Sequence, residues 1–89
     1  MPWIVEYDPE ALQDLKKIDR AMQREILDYM DQRIAFAANP RDFGKPLRGG
    51  KFGLWRYRVR DYRIVCQLKE HRLLVLVVRI GHRSTVYGD

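Results

Sequence analysis

The apolar positions of this chain change period near its middle. Up to residue 38 they recur mainly at helical spacing; from residue 55 they alternate with polar residues or run continuously, as strands do. Residues 3–7, Trp-Ile-Val-Glu-Tyr, are aromatic and β-branched and predict a first strand. Asp8-Pro9 then sets an N-cap acid before a proline at the first helical position. Ala11, Leu12, Leu15 and Ile18 follow at helical spacing, so a short helix is expected over about 9–18. Asp19 caps a second helix, about 20–38, with an apolar stripe of Met22, Ile26, Met30 and Ile34 flanked by Leu27 and Ala37. Asn39-Pro40 stops it, because proline pushes the preceding residue out of the helical region. Two helices joined so tightly are expected to form an antiparallel hairpin.

Residues 39–53 read as a loop, punctuated by Pro40, Gly44, Pro46, Gly49, Gly50 and Gly53. It is not a phosphate-cradling P-loop: Gly44-Lys45 is followed by Pro46, where a hydroxyl residue would be needed. Three strands come next. Residues 55–60 alternate strictly, with Trp55, Tyr57 and Val59 on one side and Arg56, Arg58 and Arg60 on the other. Asp61 lies in a tight connection to a second strand over 62–68. Lys69-Glu70-His71 turns into a third over 73–80, which Gly81 is expected to end. Short connections make these three strands an antiparallel meander. The expected fold is α+β, one domain over 1–89: an N-terminal strand, then a helical hairpin packed on one face of an antiparallel sheet.

Composition narrows the class. With 46% apolar and 33% charged residues, an 89-residue chain can form one small core. The single Cys66 sits inside an apolar run, excludes an internal disulfide and reads as a core residue in a cytoplasmic protein. The longest apolar run, Leu73 to Val78, is six residues against the roughly 20 that span a bilayer, so no membrane role is expected.

Charge adds more. The net +5 is the average of residues 1–40 at −3 and residues 41–89 at +8, and twelve of the seventeen cations are arginine. Arginine makes planar, bidentate contacts to phosphate and stays charged at working pH. Arg56, Arg58 and Arg60, with Arg63 if it points the same way, form an anion-binding face opposite the helices. Lys45, Arg48 and Lys51 extend it. The reading from charge alone is a polyanion such as nucleic acid, with a solvated cationic face or a dock for an acidic protein as alternatives. Two histidines without clustered acids make no metal site, and no cofactor is expected. His71 lies in a polar turn. His82, placed just past Gly81 and beside Arg83, is the better acid–base candidate.

The run Arg56-Tyr57-Arg58-Val59-Arg60-Asp61-Tyr62-Arg63-Ile64-Val65 and the tail Gly81-His82-Arg83-Ser84-Thr85-Val86-Tyr87 resemble the RelE/ParE toxin superfamily, as do Leu47-Arg48-Gly49 and the opening Tyr7, Ala11, Leu12, Leu15. The resemblance covers essentially the whole chain. It implies a microbial-RNase-like fold and a toxin silenced by a cognate antitoxin with an acidic segment. Operator DNA would be met only through that complex. RelE-like members cut mRNA in the ribosomal A site; ParE-like members inhibit DNA gyrase without a nuclease site.

Carried over by position, the RelE-like set is Arg56, Arg58, Arg63, Arg83 and Tyr87, which favours the RelE-like branch. Arg63, Arg83, Tyr87, His82 and Arg58 are then the catalytic candidates, and Arg56, Arg60, Arg48 and Lys51 the substrate-binding ones. Arginine stands at 56 and 58 where RelE has lysine, and cannot accept a proton because its pKa exceeds about 12. Tyr87 would stack on an RNA base or serve as the general base, with His82 as the alternative base or acid. A phenol serves as base only if neighbouring cations favour its ionised form. Arg60 occupies a place where many relatives have a turn glycine.

Overall fold

Both predicted helix starts are built as their sequences dictate. In the computed structural model, which describes residues 2–47 and 53–82, the Asp8 carboxylate accepts from the Glu10 N–H at 3.3 Å and Pro9 opens helix α1 (Pro9–Lys16). The Asp19 carboxylate accepts from Met22 N–H at 3.2 Å and starts α2 (Arg20–Asp28). Each cap satisfies a backbone donor that the helix itself leaves without a partner.

α2 does not run on as a regular helix. Tyr29–Ile34 form a π-helical continuation, closed by the Ala35 N–H donating to Met30 O at 2.9 Å. A strict four-residue stripe drifts about 40° per step around a regular α-helix, and the wider π turn absorbs part of that drift. Ile26, Met30 and Ile34 are accordingly all fully buried. The helix ends there rather than at residue 38.

The strands are β1 (Ile4–Tyr7), β2 (Lys45–Pro46), β3 (Leu54–Val59), β4 (Tyr62–Lys69) and β5 (Leu74–His82), in spatial order β1-β5-β4-β3-β2. The meander β3-β4-β5 is antiparallel as expected, and β2 joins it antiparallel. β1 differs: it pairs parallel with β5, Ile4 opposite Leu74 and Tyr7 opposite Val77, so the sheet is mixed. The physical reason is the crossover. Two helices and three strands separate β1 from β5, and a connection that long imposes no hairpin geometry.

The core lies between helices and sheet. Ala11, Leu15 and Ile18 meet Ile26, Met30 and Ile34 over Tyr57, Val59, Ile64, Cys66, Val75, Val77 and Ile80. Cys66 is fully buried, and burial pushes its thiol well above the ordinary range, so it stays protonated. A second, small apolar cluster of Leu47 and Val65, with Leu54 and Val78 against it, sits apart from that core.

β5 also contradicts its expected end. It runs through Gly81 to His82 and carries an irregularity where Val65 opposes Arg79 but Cys66 opposes Val77. The skipped residue, Val78, is a bulge that re-aims its neighbour. Arg79 reaches α1, where Asp14 accepts from its Nε at 2.8 Å, from its Nη2 at 3.3 Å and from the Ile80 N–H at 2.9 Å. Burial on its own raises the Asp14 pKa. The Arg79 hydrogen bond, the Ile80 N–H and the charges of Arg79 and Lys17 together outweigh it and hold the carboxyl below its ordinary value. The interaction therefore stabilises the fold above the unfolded carboxyl pKa, about 3.9, and is lost as pH falls through the lower folded value. Asp14→Asn is expected to cost about 1–2 kcal/mol at pH 7 and to flatten the acid limb of the stability curve, measured by urea unfolding between pH 2 and 7. An unchanged acid limb would show that Asp14 is not the linking group.

Candidate functional site

The outer face of the sheet is built by alternation in β3 and by register with β4. Tyr57 and Val59 are buried toward the helices, so Arg56 and Arg58 face away. Arg58 lies directly opposite Arg63, and residues so placed share a face with Cβ atoms about 5 Å apart. Arg63 is thus brought onto the same side. It is only 7% exposed, a buried cation beside an exposed one. Its partner position on β5 is Gly81, which brings no side chain to that face. Two arginines set opposite each other on one face suit the holding of an anion.

Arg56 is half-buried and lies opposite Val65 on β4 and Lys45 on β2. Lys45 reaches that register because β3's inward aromatics tie down the preceding segment. Tyr57 Oη donates to Pro40 O at 2.9 Å, and Trp55 Nε1 donates to Phe43 O at 2.6 Å. Both pack against the core on the helix side of the sheet. Burial raises the Tyr57 phenol far above its ordinary value, so it remains the donor. Gly44 follows with φ +71°, close against the Arg56 carbonyl.

Two sequence-based assignments move. Arg60 leaves the row of Arg56 and Arg58: it occupies the first position of the two-residue turn to β4 with φ +54°, and its Nε pairs with Glu25 of α2 on the helix side. Strand alternation stops where the turn begins, so it no longer predicts a side. A left-handed position favours glycine, and an exposed ion pair contributes little. Arg60→Gly is expected to shift stability by less than about 1 kcal/mol, read as a thermal midpoint that moves only a few degrees.

His82 also lies away from the arginines. It pairs with Tyr62, the residue alternating with Arg63, and their rings meet edge-on at 5.8 Å and 80°. Tyr62, His82, Lys17 and Ile18 line a cavity of about 300 Å³ next to the Asp14–Arg79 pair. The histidine therefore serves the helix side of the sheet, not the face that carries Arg58 and Arg63. Arg48, Lys51, Arg83 and Tyr87 lie outside the described residues.

One neighbour of the site is not legible in the sequence. Tyr29, from the start of the π turn, joins Gly44, Lys45, Arg56 and Arg58 around a cleft of about 280 Å³. Helical spacing places Tyr29 merely beside the buried stripe. Among the described residues, no group of three His, Cys, Asp or Glu side chains is gathered to hold a metal ion. Likewise, none of the described helices is long and apolar enough to cross a membrane.

Comparison with known proteins bears on this arrangement. The family model of the ParE toxin of type II toxin–antitoxin systems, parDE, matches residues 5–87. The chain is 25% identical over 87 residues to Toxin RelG of Mycobacterium tuberculosis, covering 98% of each. Among solved structures, the RelBE2 toxin–antitoxin complex of M. tuberculosis is matched with a TM-score of 0.84 at 24% identity, over 94% of both chains. An archaeal RelE–RelB complex from Pyrococcus horikoshii gives 0.75 at 22% identity, over 97% of this chain and all of the other. The likeness to these structures is one of fold.

Proposed function

The chain belongs to the ParE toxin family of type II toxin–antitoxin systems, within the RelE/ParE superfamily, and on that premise we propose that it is a toxin of the RelE-like kind, an endoribonuclease that cuts mRNA on the ribosome. The observation that carries this reading is the register of Arg58 against Arg63, which puts two arginines at neighbouring positions on the face away from the helices.

The reaction needs neither metal nor water. The 2′-oxygen of one ribose bonds to the adjacent phosphorus as its proton passes to a base. The bond from phosphorus to the 5′-oxygen breaks, and the leaving oxygen takes up a proton. The products are a 2′,3′-cyclic phosphate and a 5′-hydroxyl. Arg63 and Arg83 stabilise the charge that grows on the phosphoryl oxygens, which is electrostatic preorganisation. Arg58 and Arg56 hold flanking phosphates and fix the strand without reading its bases. Tyr87 is the base on this reading, since arginine does not give up its proton and His82 sits on the helix side of the sheet. The ribosome supplies the bend that aligns the attacking oxygen, a contribution of positioning rather than of charge.

A cognate antitoxin is the second partner. Relatives of the same fold are seen as toxin–antitoxin complexes, and the basic face suits an acidic segment that would occupy it in place of RNA. The family-model match favours one rival, gyrase inhibition of the ParE kind. Induction of the toxin without antitoxin, followed by mapping of mRNA 3′ ends, separates the two. Codon-phased cuts with loss of translation are expected. Intact mRNA with gyrase-dependent DNA breaks would sink the nuclease reading.

A further inference from the structure

Beside the Arg58–Arg63 pair, the cleft between the π turn and the edge of β3 has the makings of a separate subsite. It is lined by Tyr29, Gly44, Lys45, Arg56 and Arg58, and among the described residues none of those lining it is acidic. Lys45 and Arg56 face each other across β2 and β3. With Arg58 they gather three cations around the cleft, a setting that suits an anion. β2 is only two residues long, Lys45–Pro46, and the proline contributes no N–H to pairing. β2 pairs with Trp55 and Arg56 of β3 and does not extend to Arg58. Gly44, left-handed and pressed against the Arg56 carbonyl, adds no side chain to the cleft floor.

We propose that this cleft binds one phosphodiester of single-stranded RNA flanking the scissile one, with Lys45 as its cation and the Tyr29 hydroxyl as its neutral donor. The proposal rests on the ribonuclease reading above and extends the RNA path from the Arg58–Arg63 pair over the sheet edge to the helix. One feature favours RNA over an acidic peptide. An aromatic side chain among closely set cations is the combination that single-stranded nucleic acid exploits, through phosphate contact and ring contact together. Burial raises the Tyr29 phenol above its ordinary value, against the opposing charge of Arg33, so the hydroxyl keeps its proton and donates. The ring is anchored from behind by Tyr57, at 6.2 Å between centroids.

Fluorescence anisotropy of the purified toxin with a labelled 12-nucleotide oligouridylate, across a salt series, tests this. Lys45→Gln is expected to weaken binding and to reduce the salt slope by about 0.7, the share of one phosphate contact on a single strand. Tyr29→Phe keeps the ring and its packing. It is expected to weaken binding about fivefold, the worth of one hydrogen bond, with the slope unchanged. Thermal melts of both variants should match the parent. If the parent fails to bind the oligomer at low salt, or both variants bind as it does, the assignment is wrong. It is equally wrong if the variants lose an oligoglutamate peptide but keep the RNA, since the cleft would then be a protein dock. Binding requires no turnover, so intact mRNA after induction would remove the nuclease reading while leaving this measurement to decide the cleft.

Discussion

Arg63→Met is expected to reduce toxicity at least 100-fold while the protein remains folded. Methionine fills the volume of the arginine stem and keeps the packing of β4. Stability should therefore change by no more than about 2 kcal/mol, although Arg63 is 7% exposed. The activity loss follows from the role proposed for the guanidinium. Deleting one preorganised donor to a developing oxyanion lowers turnover by about 10²–10³-fold. Growth after induction and the yield of cleaved mRNA are the readouts. Arg63→Lys separates charge from geometry: a compact ammonium restores the charge but not the planar, bidentate fork, so partial recovery is expected. Full toxicity in Arg63→Met would remove Arg63 from the site.

Gly44→Ala is expected to be the most damaging small substitution for the fold. At φ +71° any side chain is strained, and a Cβ there would collide with the Arg56 carbonyl and lie 2.8 Å from Tyr57 Cδ1 and 2.9 Å from Trp55 Nε1. Backbone and buried ring atoms cannot step aside as a flexible surface chain would. A loss of about 3 kcal/mol is expected, which in a domain of this size lowers the thermal midpoint by roughly 12–24 °C. Because Gly44 sets the approach of β2 to β3, the variant should also lose the Lys45–Arg56 register. A midpoint within about 3 °C of the parent would mean that this approach is not held as tightly as the backbone contact indicates.

These two substitutions mark where sequence reasoning reaches and where it stops. The face of Arg56 and Arg58 is legible because alternation in a strand is local: Tyr57 inside dictates its neighbours outside. Arg63 is legible only conditionally, since its side depends on how β4 pairs with β3. Sequence spacing misplaces Arg60 and His82 for one reason. Each lies where a strand is expected to end, and the boundary decides the side. Arg60 belongs to the turn rather than to the row of β3, and His82 belongs to β5 rather than to the tail. A shift of one residue at such a boundary changes the face a side chain serves. Nothing in the spacing of Tyr29 points to the cleft. Its place there follows from the π turn, which brings the ring beside Tyr57 and the β2–β3 edge.

The sequence alone determined whatever depends on neighbours within a few positions along the chain. Those are the two capped helices with their buried stripe, the alternating arginines, the tight β3–β4 turn and the inert Cys66. Caps, turns and amphipathic faces are short-range consequences of backbone sterics and of burying apolar area. The tertiary structure decided what depends on residues far apart in the chain. It placed β1 parallel to β5, shifted β5 by a bulge so that Arg79 meets Asp14, and set Arg58 against Arg63. It also gathered Lys45, Arg56, Arg58 and Tyr29 around one cleft. Such pairings are selected by the packing of the whole core, because no local preference distinguishes one register or one edge from another until the distant elements meet.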